Sequence, residues 1–499
     1  MAITAGGSLN SVALPQKQAA TSNYLDLAST ANQGWAQQYL PDLMEKEAEV
    51  FGQRTISGFL SQVGAEEAMQ ADEVVWSEQS RLHLAYTGQI TDGDAGTILG
   101  GQITIGNDID GQAAGSNHGI RKNDTVLIAS SEGTVKALVT LVTAGSAVIE
   151  VAPYGVVDLN DVFQDNQGAN SVTVLVYGSE YKKGDNYDGD STRGANEPVF
   201  KSFSNKPIIM KDYYEVTGSD TSRIGWVEVA AEDGRSGYLW YLKAESDTRA
   251  RFNDYLEMSM LESVKGGAAG GYTGGVADLT DSHLYAGGGE VTGTQGLFNA
   301  IEERGNVTSG VTGVNAATDL AEFDAILAEF DNQGAIEENM LFVNRATSLA
   351  IDDMLASMNS HGAGGTSYGV FENDEDMALN LGFSGFRRGS YDFYKSDFRY
   401  LNDKATRGSI NSAYAAGAIR GVIIPAGTST VYDQTLGKNL KRPFLHVRYR
   451  ASATDNRKMK TWTTGSVGAA TSALDAMQIH MLSERCLITQ GANNFMLMK

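Results

Sequence analysis

The sequence predicts an α+β protein with an all-β block set inside it, and three observations carry that expectation. Between residues 87 and 180 short β-branched runs recur: Ile103-Thr-Ile, Thr125-Val-Leu-Ile, Ala147-Val-Ile-Glu-Val and Ser171-Val-Thr-Val-Leu-Val-Tyr. Gly, Asn and Asp clusters separate them, as turns separate strands. From about Gly237 to Val264 runs the strongest helical pattern, with Phe252, Tyr255, Leu256 and Met260 on one stripe and charged residues on the rest. Near the end, Leu445, Val447 and Tyr449, then Met477, Ile479 and Met481, alternate with the two-residue period of a strand.

The remaining elements follow in chain order. Residues 1–40 are small and polar and read as an extended arm. Between Pro41 and Met69 the pattern is helical in places, with Leu43, Glu47 and Val50 near a 3.6-residue period. Residues 72–86 end in alternation, Leu82, Leu84 and Tyr86 against Arg81, His83 and Ala85. Residues 199–230 read as extended, aromatic chain. The long helix closes at Lys265-Gly-Gly, a cationic last turn followed by glycine, and spans ~40 Å at 1.5 Å per residue. Gly296 to Gly305 is a short helix with a glycine stop. Residues 317–331 form another, with Thr318 as its cap. Met340-Leu-Phe-Val is a buried strand, followed by a helix to about Met358. Residues 380–435 alternate short strands and turns.

Composition bounds the function. The 499 residues give room for about three domains or one elaborated fold. The net charge of −23 argues against a coat on nucleic acid, which needs Lys and Arg to neutralise phosphates, but not against a wall around it. With 57 Gly and 7 Pro, tight turns are expected, not stiff linkers. The lone Cys486 excludes an intrachain disulfide framework and reads as a small buried apolar residue of a protein made in a reducing cytoplasm. Met1-Ala-Ile-Thr-Ala-Gly-Gly-Ser lacks the features of a secretion signal, and no run of ~18 apolar residues offers a membrane span.

Catalytic signatures are scarce. His83, His118, His283, His361, His446 and His480 make no i, i+4 pair and no His-Glu-x-x-His. Gly365-Thr-Ser367-Tyr-Gly369 matches the nucleophile-elbow string, but lacks the strand before and the helix after that an elbow needs. The acidic turns Asp92-Gly-Asp94, Asp108-Ile-Asp110 and Asp185 to Asp190 miss the full calcium-loop pattern and read as solvated turns. No cofactor or metal is expected, and the chain reads as a non-enzyme.

Charge is unevenly placed. Between Lys441 and Lys460 stand seven basic residues and one acid, Asp455; between Asp319 and Glu338 stand seven acids and no Lys or Arg. Such patches can pair within a subunit or between neighbours. Arg448 and Arg450 alternate with the apolar residues of their strand and are expected on one sheet face, as an assembly element with carboxylate partners that include the 319–338 segment.

The extended segment Trp76-Ser-Glu-Gln-Ser-Arg-Leu-His83 resembles the ascending arm of the E-loop in tailed-phage major capsid proteins. Val199 to Thr217 resembles the descending arm, and the long helix sits where their spine helix belongs. Asp475 to Phe495 is similar to the closing peripheral-domain strand of crAss-like phage capsid proteins. The resemblance implies a Johnson-type (Hong-Kong-97-like) phage capsid fold, with pentamers and hexamers tiling an icosahedral shell around double-stranded DNA. It implies the virion capsid as the location, after synthesis in the cytoplasm of the bacterial host. The implied partners are other copies of the chain, portal, scaffold and auxiliary or head-fibre capsid proteins, and packaged DNA without sequence-specific binding, with no membrane. Candidate inter-subunit contacts are Trp76, Arg81, Arg448 and Arg450.

The expected division is an N-terminal arm at 1–45 and E-loop arms with a flanking helix at 46–86 and 181–235. An inserted β domain follows at 87–180. The spine helix and part of the peripheral domain fall at 236–300, an axial domain at 301–440, and peripheral return strands at 441–499. Two other readings compete. A tail-sheath or surface-layer array protein would also be acidic, Gly-rich and motif-free, and a polysaccharide-active enzyme would need a carboxylate pair that nothing in the sequence singles out.

Overall fold

The structure is a computed structural model. It describes residues 59–60, 65–78, 81–92, 100–143, 145–163, 171–184, 196, 201–221, 228–230, 236–265, 285–286, 290–291, 293–358, 385–413, 417–426, 428–433, 438–467 and 470–499. The chain divides into two compact units, Ser77–Ser202 and the remainder, Met1–Trp76 with Phe203–Lys499. The expected arm at 1–45, the nucleophile-elbow string and the turns at 93–94 and 185–190 lie outside the described residues.

Strand β1 (Ala65–Met69) is followed by β2 (Val74–Glu78). Six strands form the smaller unit: β3 (Ala85–Asp92), β4 (Gln102–Asp108), β5 (Asp124–Ser130), β6 (Gly133–Val142), β7 (Val148–Pro153) and β8 (Ser171–Ser179). The chain returns through β9 (Lys201–Asn205), which pairs with β2, and β10 (Ile208–Thr217). Hairpins β11 (Glu228–Ala230) with β12 (Ser236–Tyr238), and β13 (Tyr285–Ala286) with β14 (Glu290–Val291), flank helix α1 (Leu239–Glu262). Then come α2 (Leu297–Arg304), β15 (Asn306–Thr308), α3 (Ala316–Gln333), β16 (Glu338–Val343) and α4 (Arg345–Met358). After β17 (Gly385–Arg388) and β18 (Tyr391–Asp397), two short helices (Arg399–Asn402 and Arg407–Ala413) lead to β19 (Gly421–Pro425). Hairpin β20 (Thr428–Asp433) with β21 (Lys438–Pro443) precedes β22 (Leu445–Arg450), β23 (Lys460–Gly465), β24 (Ala476–Thr489) and β25 (Met496–Met498).

The smaller unit is a closed barrel in the order β3-β4-β7-β6-β5-β8. Alternation decides which side chains go inside: Ile103 and Ile105, Val126 and Ile128, Val135, Ala137 and Val139, Ile149 and Val151, Val172 and Val174 are all buried. Register breaks at Thr87/Gly88, Thr125/Val126 and Val139/Leu141 are bulges, which bend strands enough to close a small barrel. Gly100 has φ +105°, and a Cβ there would overlap the Val151 carbonyl oxygen. Leu159, in a one-turn helix capped reciprocally by Asp158 and Asp161, and Phe163 just beyond it complete the core. The alternation expected at 82–86 is only partly realised: the strand begins at Ala85, and Leu82 is exposed.

The larger unit has two sheets. One runs β1-β22-β24-β10, with β23 also on β24. The other runs β15-β25-β19-β16-β18-β17. The second sheet is covered on both faces, which is why its strands read as unbroken apolar runs. Leu341, Val343, Ile423, Met496 and Met498 face α3 and α4, against Phe323, Ile326, Phe330, Ile351 and Met354. Phe342, Val422, Ile424 and Leu497 face the other way and share one core with Leu445, Val447 and Leu487 of the first sheet. Helix α1 joins that core through Met260 and Leu261, and packs Phe252 and Leu256 on Met481. Tyr255, expected on the same stripe, is exposed.

Several local expectations change. Ala65–Met69, read as part of a helical stretch, is a strand, because pairing with β22 outweighs a weak periodicity. The cap of α3 is Asn315, whose side chain accepts from the Thr318 amide; Thr318 is the third residue of the helix. The last strand, β25, pairs with β15 and β19 in the six-stranded sheet, apart from the return strands it was grouped with.

Two glycines allow a measurement of barrel closure. Gly100→Ala adds both left-handed strain and the overlap with Val151, whereas Gly111→Ala adds strain alone, since nothing lies within 4 Å of its Cβ position. Gly111→Ala is expected to cost about 1–2 kcal/mol and Gly100→Ala clearly more in denaturant unfolding of residues 77–202. Equal midpoints would contradict the closure described.

Candidate functional site on the five-stranded sheet

Cross-strand neighbours in register share a sheet face. In the first sheet, Leu445, Val447 and Leu487 line the shared core. The opposite face is read along β24 as Ile488, Cys486, Glu484, Leu482, His480 and Gln478. It carries three zones.

The first zone is apolar and closed. Met69 and Trp76 cover Cys486 and Ile488, with Val74 and Phe203 beside them. The Arg304 guanidinium lies 4.5 Å from the Phe203 ring centroid and 5.6 Å from that of Trp76. Beneath, Asn205 is buried and multiply bonded: its amide donates to Gln295 O (3.1 Å) and Leu487 O (2.6 Å), and its carbonyl accepts from the Gln295 amide (2.9 Å). Trp76 is only 8% exposed. Within its own chain it seals one end of the sheet.

The second zone is ionic. Glu67 of β1 stands in register with Arg448 and lies 2.9 Å from it. Arg450 approaches the Glu484 carboxylate to 2.6 Å through Nε and bonds Asp72 through Nη2; Arg457 grips the same Glu484. Lys458 pairs with Glu66, and Lys460 with Asp455 at 2.8 Å. Glu484 is the buried member, held between two guanidinium groups. The hydrogen bond to Asp72, opposed by some desolvation and helped by the charge of Glu484, raises the Arg450 pKa further. On the core-facing side, burial lowers that of Arg485, which donates to Ser483 Oγ and Lys458 O, both 2.9 Å.

Arg448 and Arg450 are each held by carboxylates of their own chain, and none of these described partners lies in the 319–338 segment. That segment is occupied locally. Asp319 accepts from Gly313 N (2.8 Å), Glu322 from Thr312 N (2.8 Å), Asp331 from Tyr391 Oη (2.8 Å), and Asp324 pairs with Arg388 at 2.5 Å. In the smaller unit Arg81 donates Nε to both oxygens of Asp110 (3.1 and 2.9 Å), an exposed pair of the kind that contributes about 0–1 kcal/mol.

The third zone is an open aromatic row. Tyr213 of β10, His480 of β24 and Trp462 of β23 are in register, with ring centroids 6.0 Å and 5.1 Å apart and planes within 29° and 17°. His480 Nε2 lies 2.6 Å from Thr464 Oγ1, and Gln478 donates to Glu215 at 2.7 Å. Tyr213 and Trp462 remain 57% and 37% exposed. The sequence reading missed β23. The two-residue spacing of Lys460, Trp462 and Thr464 is the signal the sequence carries for it.

No group of three or more His, Cys, Asp or Glu able to hold a metal occurs among the described residues. His446 is buried, with Nδ1 3.3 Å from Pro443 O. Burial lowers the pKa of His118. Asp108 accepts from Gln112 N at 2.7 Å and Asp110 holds Arg81, as ordinary turn carboxylates do. A cleft of about 430 Å³ is lined by residues that include Asp319, Asp353 and Arg420, and Asp319 is already committed to the Gly313 amide. The contacts described in the three zones bind strand to strand.

No protein-family model matches the chain, and no curated protein matches it. The chain is similar to a solved structure from Mycobacterium phage Ogopogo, with 10% identity over 93% of this chain and 98% of that one and a TM-score of 0.38. It is similar to one from Microbacterium phage Oxtober96, with 9% identity over 95% and 99% and a TM-score of 0.36. A third, from the asymmetric unit of the bacteriophage PhiM1 mature capsid, is 8% identical over 64% of this chain and 78% of that one, with a TM-score of 0.31.

Two measurements test this site. Arg450→Ala leaves the buried Glu484 with one guanidinium, and is expected to destabilise the larger unit by about 2–4 kcal/mol in denaturant unfolding. A change under 0.5 kcal/mol would show the cluster to be solvent-like. Burial pushes the Cys486 thiol up to about 12, with the Arg448 charge pulling the other way. The raised value means stability is full below the free thiol's ~8.5 and is lost as pH rises towards 12. Iodoacetamide at pH 8 should leave the folded chain unlabelled and label it once unfolded; rapid labelling of the folded chain is the contrary result.

Proposed function

We propose that the chain is a structural shell protein, the major capsid protein of a tailed bacteriophage with a Johnson-type fold. The observation that carries this reading is the order of elements. Paired extended strands β2 and β9 bracket the barrel, and the 24-residue α1 packs on β10 and β24. A helix-flanked sheet follows, and the chain returns through β22 to β24. It is the order that the resemblance of Trp76–His83, Val199–Thr217 and Asp475–Phe495 implies. The finer crAss-like assignment rests on the closing segment alone.

In this reading hexamers and pentamers of the chain close a shell around double-stranded DNA, which the chain encloses without reading its sequence. A net charge of −23 per copy keeps a wall from adhering to phosphates. Portal, scaffold and auxiliary proteins are the further partners. Of the four candidate contacts, Arg81, on the barrel unit and exposed, is best placed to meet a neighbour. Arg448 and Arg450 act at one remove, by fixing β1 and the loop at Asp72 to the sheet.

Electron microscopy of the full chain, expressed with a cognate scaffold, decides the matter. Closed shells are expected. Tubes or flat arrays would transfer the chain to the sheath or surface-layer class, and monomers with saturable glycan turnover would make it an enzyme.

A further inference from the structure

Among the described residues, β10 is paired on one side only, by β24, and stands at the end of its sheet. It is ten residues long, about 33 Å of strand. Its side chains alternate: Ile209, Lys211, Tyr213 and Glu215 are exposed on the face that carries the aromatic row, while Met210 and Val216 turn inward. An exposed strand of this length with two large apolar side chains is an association template unless it is covered.

We propose that β10 is covered by β10 of a second copy, antiparallel and related by a two-fold axis at Tyr213. The sequence of the exposed face selects both the occupant and the register. With Tyr213 on the axis, Lys211 of each copy faces Glu215 of the partner subunit, so two opposite-charge pairs form at once. Shifting the axis to Asp212 places Lys211 against Tyr213 and Ile209 against Glu215, and shifting it to Tyr214 places Tyr213 against Glu215; neither pairs the charges. The chosen register also sets Tyr213 beside its own copy. The row Trp462–His480–Tyr213 then continues across the axis into a second Tyr213–His480–Trp462, giving six rings across one joined sheet. Glu215 is already oriented by the 2.7 Å bond from Gln478. The inference needs self-association only, and not the shell reading.

The test uses the full chain in sedimentation velocity and crosslinking. Lys211→Glu and Glu215→Lys each place like charges opposite one another twice, and each is expected to raise the dimer dissociation constant by at least about tenfold. The double variant Lys211→Glu with Glu215→Lys restores both pairs and should return to within a few-fold of the parent. Tyr213→Cys brings position 213 against itself, within the 4.4–6.8 Å Cα range of a disulfide, so oxidised glutathione should yield a covalent dimer. Ile209→Cys should not, because the two copies of that position lie about 27 Å apart along the strands. Circular dichroism and melting of each variant establish that it is folded. Absence of a crosslink at 213, a crosslink at 209, or no recovery in the charge swap each overturns the proposal. Shells without the 213 crosslink would reject this contact and leave the capsid reading standing; crosslinked dimers that never close into shells would do the reverse.

Discussion

Strand β24 forms hydrogen-bonded ladders with three other strands, and its two faces pack against different material. Along one edge it pairs ten residues with β10; along the other it meets β23 and then β22, end to end. Met481 and Leu487 face the helix and the shared core, while Cys486 and Ile488 face the Trp76 cap. A turn at Gly491, with φ +60°, then sends the chain into β25, which lies between β15 and β19 in the other sheet. The last 24 residues thus supply an inner strand to both sheets. They bring together segments far apart in sequence, as the Asn205 bond to Leu487 across 282 residues illustrates. Such long-range closure has a high loop-entropy cost and is met only when both sheets form together.

What the sequence disclosed follows the same physics. The four β-branched runs of 87–180 are strands because each buries one face in a barrel, so their alternation is strong. Helix α1 was legible because Phe252, Leu256 and Met260 repeat every four residues on a buried stripe. The doubly covered strand Met340 to Val343 was legible as a run, whereas Gly421 to Pro425 was read only as part of a stretch of short strands and turns. What failed was pairing. Nothing local in Ala-Glu-Glu-Ala-Met tells a reader that it adds to β22, because its Glu66 and Glu67 are placed there by Lys458 and Arg448 from the far end of the chain. The packing of Trp76 was hidden for the same reason: Phe203 and Arg304, which cover it, come from far along the chain.

The basic island of 441–460 had two readings, cohesion within the chain or contact beyond it. Geometry favours cohesion for the described ion pairs of Arg448, Arg450, Arg457, Lys458 and Lys460, each with a carboxylate of the same chain. The effect is local: an acidic chain concentrates its cations where acids must come close, and Glu484 could not be buried without two of them. The exposed part of the same face, by contrast, carries one cation and one anion on β10 with two exposed apolar side chains. The ionic cluster on Glu484 and the open aromatic row on His480 lie on the same face of the sheet, four residues apart along β24.

The account stands on the claim that the C-terminal residues complete both sheets of the larger unit while the barrel keeps a core of its own. Hydrogen exchange on the full chain and on a version ending at Gln490 tests this most directly. Loss of β25 should remove protection from Glu338–Val343 and Gly421–Pro425, and leave Asp124–Ser130 and Ser171–Ser179 in the barrel unchanged. Retained protection in the first two segments, or a parallel loss in the barrel, would contradict it.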